Sequence, residues 1–271
     1  MITRDPIEFP KPSSGWVSFW RWIAAGAQDV GRATLLILRA LAGAARLFSK
    51  RGRPAFAEQM YAVGIGSLPI ITVVALFTGM ILALQTGLEL RRFNQEIYIG
   101  SAVMVSMLRE MGPLMSALIL SACVGSSMAA QIGTMTVNDE IAALEMLSID
   151  PVRFLMTPRI WAMAVMTPLL SFYTCIVGVM GGALIGSTQL NIQWTQYFDV
   201  ALKFAREKDL YVGLFKALIY GLVIAGVSCY EGFTTTQGAV GVGRATRGSV
   251  VKSFLLILVL GYFVTRGFYN G

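Results

Sequence analysis

Five long apolar stretches, separated by short polar segments, constrain this chain more than any other feature. They cover roughly residues 65–85, 97–130, 160–185, 212–230 and 250–269. An α-helix rises about 1.5 Å per residue, so about 20 residues cross a hydrocarbon core about 30 Å thick. Each stretch reaches or approaches that length, and the second exceeds it. Backbone groups in that core find no water to bond, which makes the helix the solution for such continuous runs. Composition agrees: of 271 residues, 55% are hydrophobic and 14% charged. The expected fold is an all-α integral membrane protein with five transmembrane helices.

The same composition removes several functions. The chain has no histidine, and Cys123, Cys175 and Cys229 stand singly in apolar runs. Zinc sites, Cys–His nucleophile pairs and a disulfide framework therefore lack their parts, and a hydrolase of ordinary design is not expected. The net charge is +7. Much of the basic excess precedes residue 54, beside apolar residues, which favours anionic lipid head groups over nucleic acid.

Residues 1–15 read as a polar tail without the apolar core of a signal peptide. Over 16–54, Trp16, Phe19, Trp20 and Ile23 recur at near-helical spacing, while Arg21, Arg32, Arg39 and Arg46 fall elsewhere. That pattern predicts an amphipathic arm lying in the membrane interface. The transmembrane domain follows as 55–271. Segments 1–64, 131–159 and 231–252 carry 14 Lys/Arg, against 6 in 86–96, 186–211 and the residues after 264. The positive-inside rule puts the N-terminus in the cytoplasm and the C-terminus outside.

Four segments stand out. Between the second and third spans, 137–148 predicts a short amphipathic helix. Thr136-x-x-Asp139 resembles a capping box, Asp139 and Glu140 suit the positive end of the dipole, and Asp150-Pro151 opens the next turn. Ile141, Leu144 and Leu147 share a stripe, with Glu140 and Glu145 toward another surface. Such a helix either packs on its own loops or enters a partner's groove. Arg109 and Glu110 lie inside an apolar span, where charge costs a few kcal/mol each. As neighbours about 100° apart on a helix they do not form a self-contained pair. Two roles fit them: a snorkelling arginine with a carboxylate capping a helix bent at Gly112-Pro113, or the lining of a cavity. They read as almost the only charged cluster within the spans. Gly125, Ser126, Ser127, Ala129, Ala130 and Gly133 allow close helix packing, within the chain or between copies. Finally, the glycines of 231–246 match no phosphate-binding loop and read as a turn before the last span.

Several of these segments carry a resemblance. Arg109-Glu110-Met111-Gly112-Pro113, Val124 to Ser127, Ala129-Ala130, Ile132 to Met135, Asp150-Pro151-Val152-Arg153, and Gly241-Val242-Gly243-Arg244-Ala245-Thr246 with the run to Ser253 are similar to the motifs of the MlaE/YrbE family. These are permease subunits of ABC-type lipid transporters that work with MCE proteins. The similarity runs from about Phe56 to the end. Cys123 stands where the family commonly has arginine, Gln131 where it has glutamate, and Ala142 where it often has aspartate.

The resemblance implies a non-catalytic subunit, working as a homodimer in a bacterial inner membrane with its C-terminus in the periplasm. A cytoplasmic ABC ATPase, binding ATP and Mg, would supply hydrolysis, since the chain has no Walker motif and is expected to hold no cofactor. A periplasmic MCE-domain protein and, in some assemblies, a STAS-domain protein would complete the machine. Its substrate would be phospholipid or a related lipid. Arg109 and Glu110 would line the lipid path, and Asp139, Glu140, Ile141, Leu144, Glu145 and Leu147 would meet the ATPase as a coupling helix. Rival readings are an ATPase-independent secondary transporter, disfavoured by five spans without an inverted repeat, and a structural anchor for a cytoplasmic complex.

Overall fold

A computed structural model describes residues 52–269, together with positions 31, 34, 38, 40 and 43. The polar tail and nearly all of the predicted interfacial arm lie outside the described residues. Helix α1 (Gly52–Gly64) runs through a 3-10 turn into α2 (Leu68–Arg92). Then come α3 (Ile99–Ser106), α4 (Gly112–Leu120) and α5 (Ser126–Val137), joined into one rod by π-turns at Met107–Met111 and Ser121–Gly125. After the short α6 (Glu140–Met146) and a π-turn at Val152–Met156 follow α7 (Thr157–Gln189), α8 (Trp194–Phe204), α9 (Glu207–Phe233) and α10 (Gly238–Tyr269). No strand occurs among the described residues.

Five rods are long and apolar enough to cross a bilayer: Arg53–Arg92, Glu96–Val137, Val152–Gln189, Glu207–Phe233 and Gly238–Tyr269. Each predicted span falls inside one of them. Two faces result. The α6 face holds the start of α1, α6 and the α9–α10 turn; the α8 face holds the α2–α3 turn, α8, the start of α9 and the end of α10.

Helix α7 is the central rod, packing on α2, α4 and α9. At its crossing with α2, a Cβ on Gly79 would collide with the Gly178 carbonyl, so glycine is what lets the two backbones touch. A core of Ile71, Leu120, Met163, Tyr220, Ile224 and Ile257 joins these rods to α10, and a second core of Ile99, Val103, Met107 and Ala183 is closed by Tyr197 of α8. Apolar rows stay outward on α2 (Ile70, Val73, Phe77, Ile81) and α10 (Val251, Leu255, Leu258, Tyr262), as suits lipid or a second protein surface.

Two loops differ from expectation. The predicted glycine-rich turn shrinks to residues 234–237, and Gly238 at φ +63° begins α10 directly, so Gly241 and Gly243 are helical. A Cβ at Gly241 would collide with the Thr236 carbonyl, so the glycine serves a tight entry into a helix rather than an extended loop. The 137–148 helix is only Glu140–Met146. Thr136 belongs to α5, where its hydroxyl bonds back to the Ile132 carbonyl (2.8 Å) and across to Gly232 (3.0 Å) instead of capping α6. Asp139 turns the chain with φ 59° and makes no side-chain cap. The Asp150-Pro151 cap does form: Asp150 Oδ1 accepts from the Val152 and Arg153 amides at 3.1 and 3.4 Å.

Candidate functional site

Arg109 and Glu110 sit in the π-turn Met107–Met111, where the backbone widens just before Gly112-Pro113. The sequence predicts a bend; the structure makes a π-bulge, a feature common at functional positions in helices. Pro113 has no N–H, so the Arg109 carbonyl loses the partner that a regular helix would give it four residues on. Lys216 of α9 replaces that partner, with Nζ 2.9 Å from the Arg109 carbonyl and 2.6 Å from Glu110 Oε1. Thr265 of α10 completes the group: its hydroxyl lies 2.7 Å from both Glu110 Oε1 and the Gly261 carbonyl.

Arg109 turns the other way, as neighbours on a helix must. Its Nε and Nη2 form a two-pronged bond with Asp209 at 2.8 and 3.1 Å. Tyr269, the last residue of α10, donates to Asp209 Oδ1 at 2.5 Å, and its ring centroid lies 4.7 Å from the Arg109 guanidinium carbon. The first turn of α9 and the last turn of α10 thus close on one arginine. Exposure is uneven across the lattice. The side chains of Asp209 and Lys216 are 1% and 0% exposed, whereas those of Arg109 and Glu110 are 35% and 39% exposed. Each buried charge is matched by a half-exposed opposite charge, and the four sum to zero. Arg109 Nη1 has no hydrogen-bond partner among the described residues.

Asp209, Lys216, Thr265 and Tyr269 escape the sequence reading. Lys216 carried the same signal as Arg109, a charge inside an apolar run, and with it and Asp209 the lattice holds four charges rather than two. Asp209 sits at the edge of its span and reads there as loop. A cavity of about 360 Å³, lined by Asn94, Glu96, Leu190, Asn191 and Gln196 among others, opens on the α8 face, and none of the lattice residues lines it.

The other predicted residues are dispersed. Gly125, Ala129 and Gly133 are buried: Gly125 faces Ser228 and Gly133 faces Thr235 of the α9 rod and its end, while the Ala129 carbonyl lies against Gly232. Ser126 and Ala130 are half-buried and Ser127 is exposed. On α6, Ile141 is half-buried and packs on the core, and Leu144 is half-buried. Asp139, Glu140 and Glu145 are exposed, as are Leu147 (70%), Met146, Ile149 and Phe154, which form the apolar surface around this loop. Cys123 and Ala142 face outward, and Gln131 bonds Arg159. A further pair ties α9 to α10: Lys252 Nζ to Glu231 Oε1 at 2.5 Å.

Comparison with known proteins places this architecture. The family model described as Permease MlaE matches residues 56–266. A probable ABC transporter permease protein of Rickettsia prowazekii is 39% identical over 79% of this chain and 82% of its own length. The intermembrane phospholipid transport system permease protein MlaE of Haemophilus influenzae is 31% identical over 87% and 90%. The chloroplastic protein TRIGALACTOSYLDIACYLGLYCEROL 1 of Arabidopsis thaliana is 30% identical over 79% of this chain and 61% of that protein. The family match covers nearly all of the five-span region and every lattice residue except Tyr269, and the chain belongs to the MlaE permease family.

Proposed function

We propose that this chain is the permease subunit of an ABC-type transporter that moves phospholipid through a bacterial inner membrane, and that its phosphate is handled at the Arg109–Asp209 lattice. The observation that carries this reading is the arrangement of charge. Asp209 and Tyr269 hold Arg109 in one orientation with Nη1 left over, so the arginine is preorganised for a single charge-assisted bond to a phosphate oxygen. Glu110, fixed by Lys216 and Thr265, sets a negative boundary beside it. The lattice is neutral before the lipid arrives, which lets charge exist at membrane depth and leaves the phosphate weakly enough held to leave again.

Energy comes from outside the chain. A cytoplasmic ATPase binding ATP and Mg docks on the α6 loop, where Leu147, Met146, Ile149 and Phe154 offer apolar contact beside Glu140 and Glu145. The N-terminus lies in the cytoplasm and the C-terminus in the periplasm, which puts the lattice toward an MCE-domain partner. A homodimer is supported by the outward apolar row on α10, and a STAS-domain protein joins in some assemblies. The test is reconstitution: liposomes carrying this chain with its ATPase should transfer labelled phospholipid to a soluble MCE acceptor in an ATP-dependent manner. Transfer that persists without ATPase would overturn the ABC assignment in favour of a secondary carrier.

A further inference from the structure

Arg159, two residues into α7, is 8% exposed. Its Nη1 donates to the Leu155 carbonyl at 3.1 Å and its Nη2 to Gln131 Oε1 at 3.2 Å, while Nε is buried and has no partner. No carboxylate lies within ion-pair distance of it among the described residues. Every other buried charge in the described protein is paired: Asp209 with Arg109, Lys216 with Glu110, Glu231 with Lys252. Among the described residues, the side-chain partners of Arg159 are thus a backbone carbonyl and a neutral amide, with no carboxylate. A buried cation is costly unless an anion reaches it.

Gln131 leads outward from that cation. Its side chain is on the exposed face of α5, with Nε2 3.4 Å from the hydroxyl of exposed Ser127 one turn back. The rod that carries both residues, Glu96–Val137, has 42 residues. At about 1.5 Å per residue it is roughly twice as long as a hydrocarbon core about 30 Å thick, so its last turns extend into the head-group layer. Gln131 lies six residues before the end of α5, within that overhang. A hydroxyl, an amide and a cation behind them form a graded set of donors at the depth of lipid phosphates.

We propose that Ser127, Gln131 and Arg159 form an anion site for the phosphate of a membrane phospholipid, at the α6 face and distinct from the Arg109 lattice. A second copy meeting this stretch of α5 about a two-fold axis would present its own Gln131 and Ser127, which are neutral and cannot supply a negative charge. A phosphate can: Gln131 turns its amide N–H outward, and the guanidinium gives its free donors to the phosphate oxygens. The inference rests on the chain lying in a bilayer and not on the handling of lipid at Arg109.

The test uses the full chain in nanodiscs of digalactosyldiacylglycerol, a bilayer lipid without phosphate, doped with phosphatidylglycerol. A photoreactive residue replaces exposed Thr134, one turn from Gln131, and adducts are identified by mass spectrometry. In the otherwise unaltered chain, phosphatidylglycerol should be captured about tenfold above its share of the bilayer, as one charge-assisted hydrogen bond allows. Gln131→Glu puts a carboxylate on Arg159 and should reduce capture to that share, with melting temperature unchanged or raised. Inorganic phosphate in the buffer should leave capture unaffected. Equal enrichment in both chains, no enrichment in the unaltered chain, or adducts to a second protein copy would overturn the site. Loss of capture on adding inorganic phosphate would make the free ion its ligand and overturn the lipid assignment. Loss of transport at Arg109 with capture intact at Thr134 would separate failure of one site from failure of the other.

Discussion

Lys216→Met is the sharpest perturbation of the membrane lattice. Methionine keeps an unbranched apolar stem one atom shorter and removes the ammonium that serves both Glu110 and the carbonyl left bare by Pro113. Breaking a buried pair by deleting one partner costs about 3–5 kcal/mol. The stranded group here is Glu110, which is 39% exposed and keeps Thr265. The loss therefore falls at the low end, about 3 kcal/mol, including the unsatisfied carbonyl. Glu110→Gln is the informative contrast, because it strands Lys216 at 0% exposure and should cost more, about 5 kcal/mol. The double variant removes both charges and should cost less than either. Scaled as for folded chains of this size, 3 kcal/mol lowers the melting temperature by roughly 6–12 °C. Cys175 and Cys229 are buried and Cys123 is exposed. In a Cys123→Ser background, a thiol-reactive fluorophore thus reports unfolding through the two buried thiols. A Lys216→Met chain as stable as its parent, Glu110→Gln milder than Lys216→Met, or a double variant that sums the two losses would refute the reasoning.

Other expectations follow from the same geometry. Arg109→Leu should destabilise the fold as well as impair transport, because it strands Asp209; adding Asp209→Asn should restore the melting temperature, as thermal unfolding would show. Leu147→Arg should abolish ATPase co-purification while leaving melting unchanged, since Leu147 is exposed; retained association would move the docking surface elsewhere. Gly79→Leu should prevent folded expression, measured by monodisperse elution in detergent, because any side chain collides with the Gly178 backbone. Cysteines at Asn191 and Gln237, in a background lacking the native ones, should label from outside and only after permeabilisation, respectively; the reverse pattern would invert the topology.

Much of this fold is legible in the sequence because a bilayer leaves few solutions. Long apolar runs must be helices, and all five predicted spans fall inside observed rods. Arg109 and Glu110 are legible for the same reason, as charges where charge is expensive. Their partners are harder. Asp209 and Tyr269 stand at span ends, where polar residues are ordinary, and only the crossing of α9 and α10 over the π-turn brings them to Arg109. Lys216 carried a readable signal, but its partner depends on register between helices more than 100 residues apart in sequence. The missed local features have local causes. Thr136 fits a capping box by spacing, yet α5 extends past it and takes its hydroxyl for a backbone bond. The glycines after Gly238 look like loop until a tight entry turn makes them helical.

Where the phosphate of a bound phospholipid sits tests the central claim most directly. An electron-microscopic map of the assembled transporter, trapped with a phospholipid bearing brominated chains, would locate both ends of the lipid. The head group is expected beside Arg109 and Glu110, between the start of α9 and the end of α10, with an oxygen within hydrogen-bond reach of Arg109 Nη1. A turnover-competent complex whose ordered phospholipid lies only along the outer rows of α2, with Arg109 still closed on Asp209 and no lipid near it, would contradict that account.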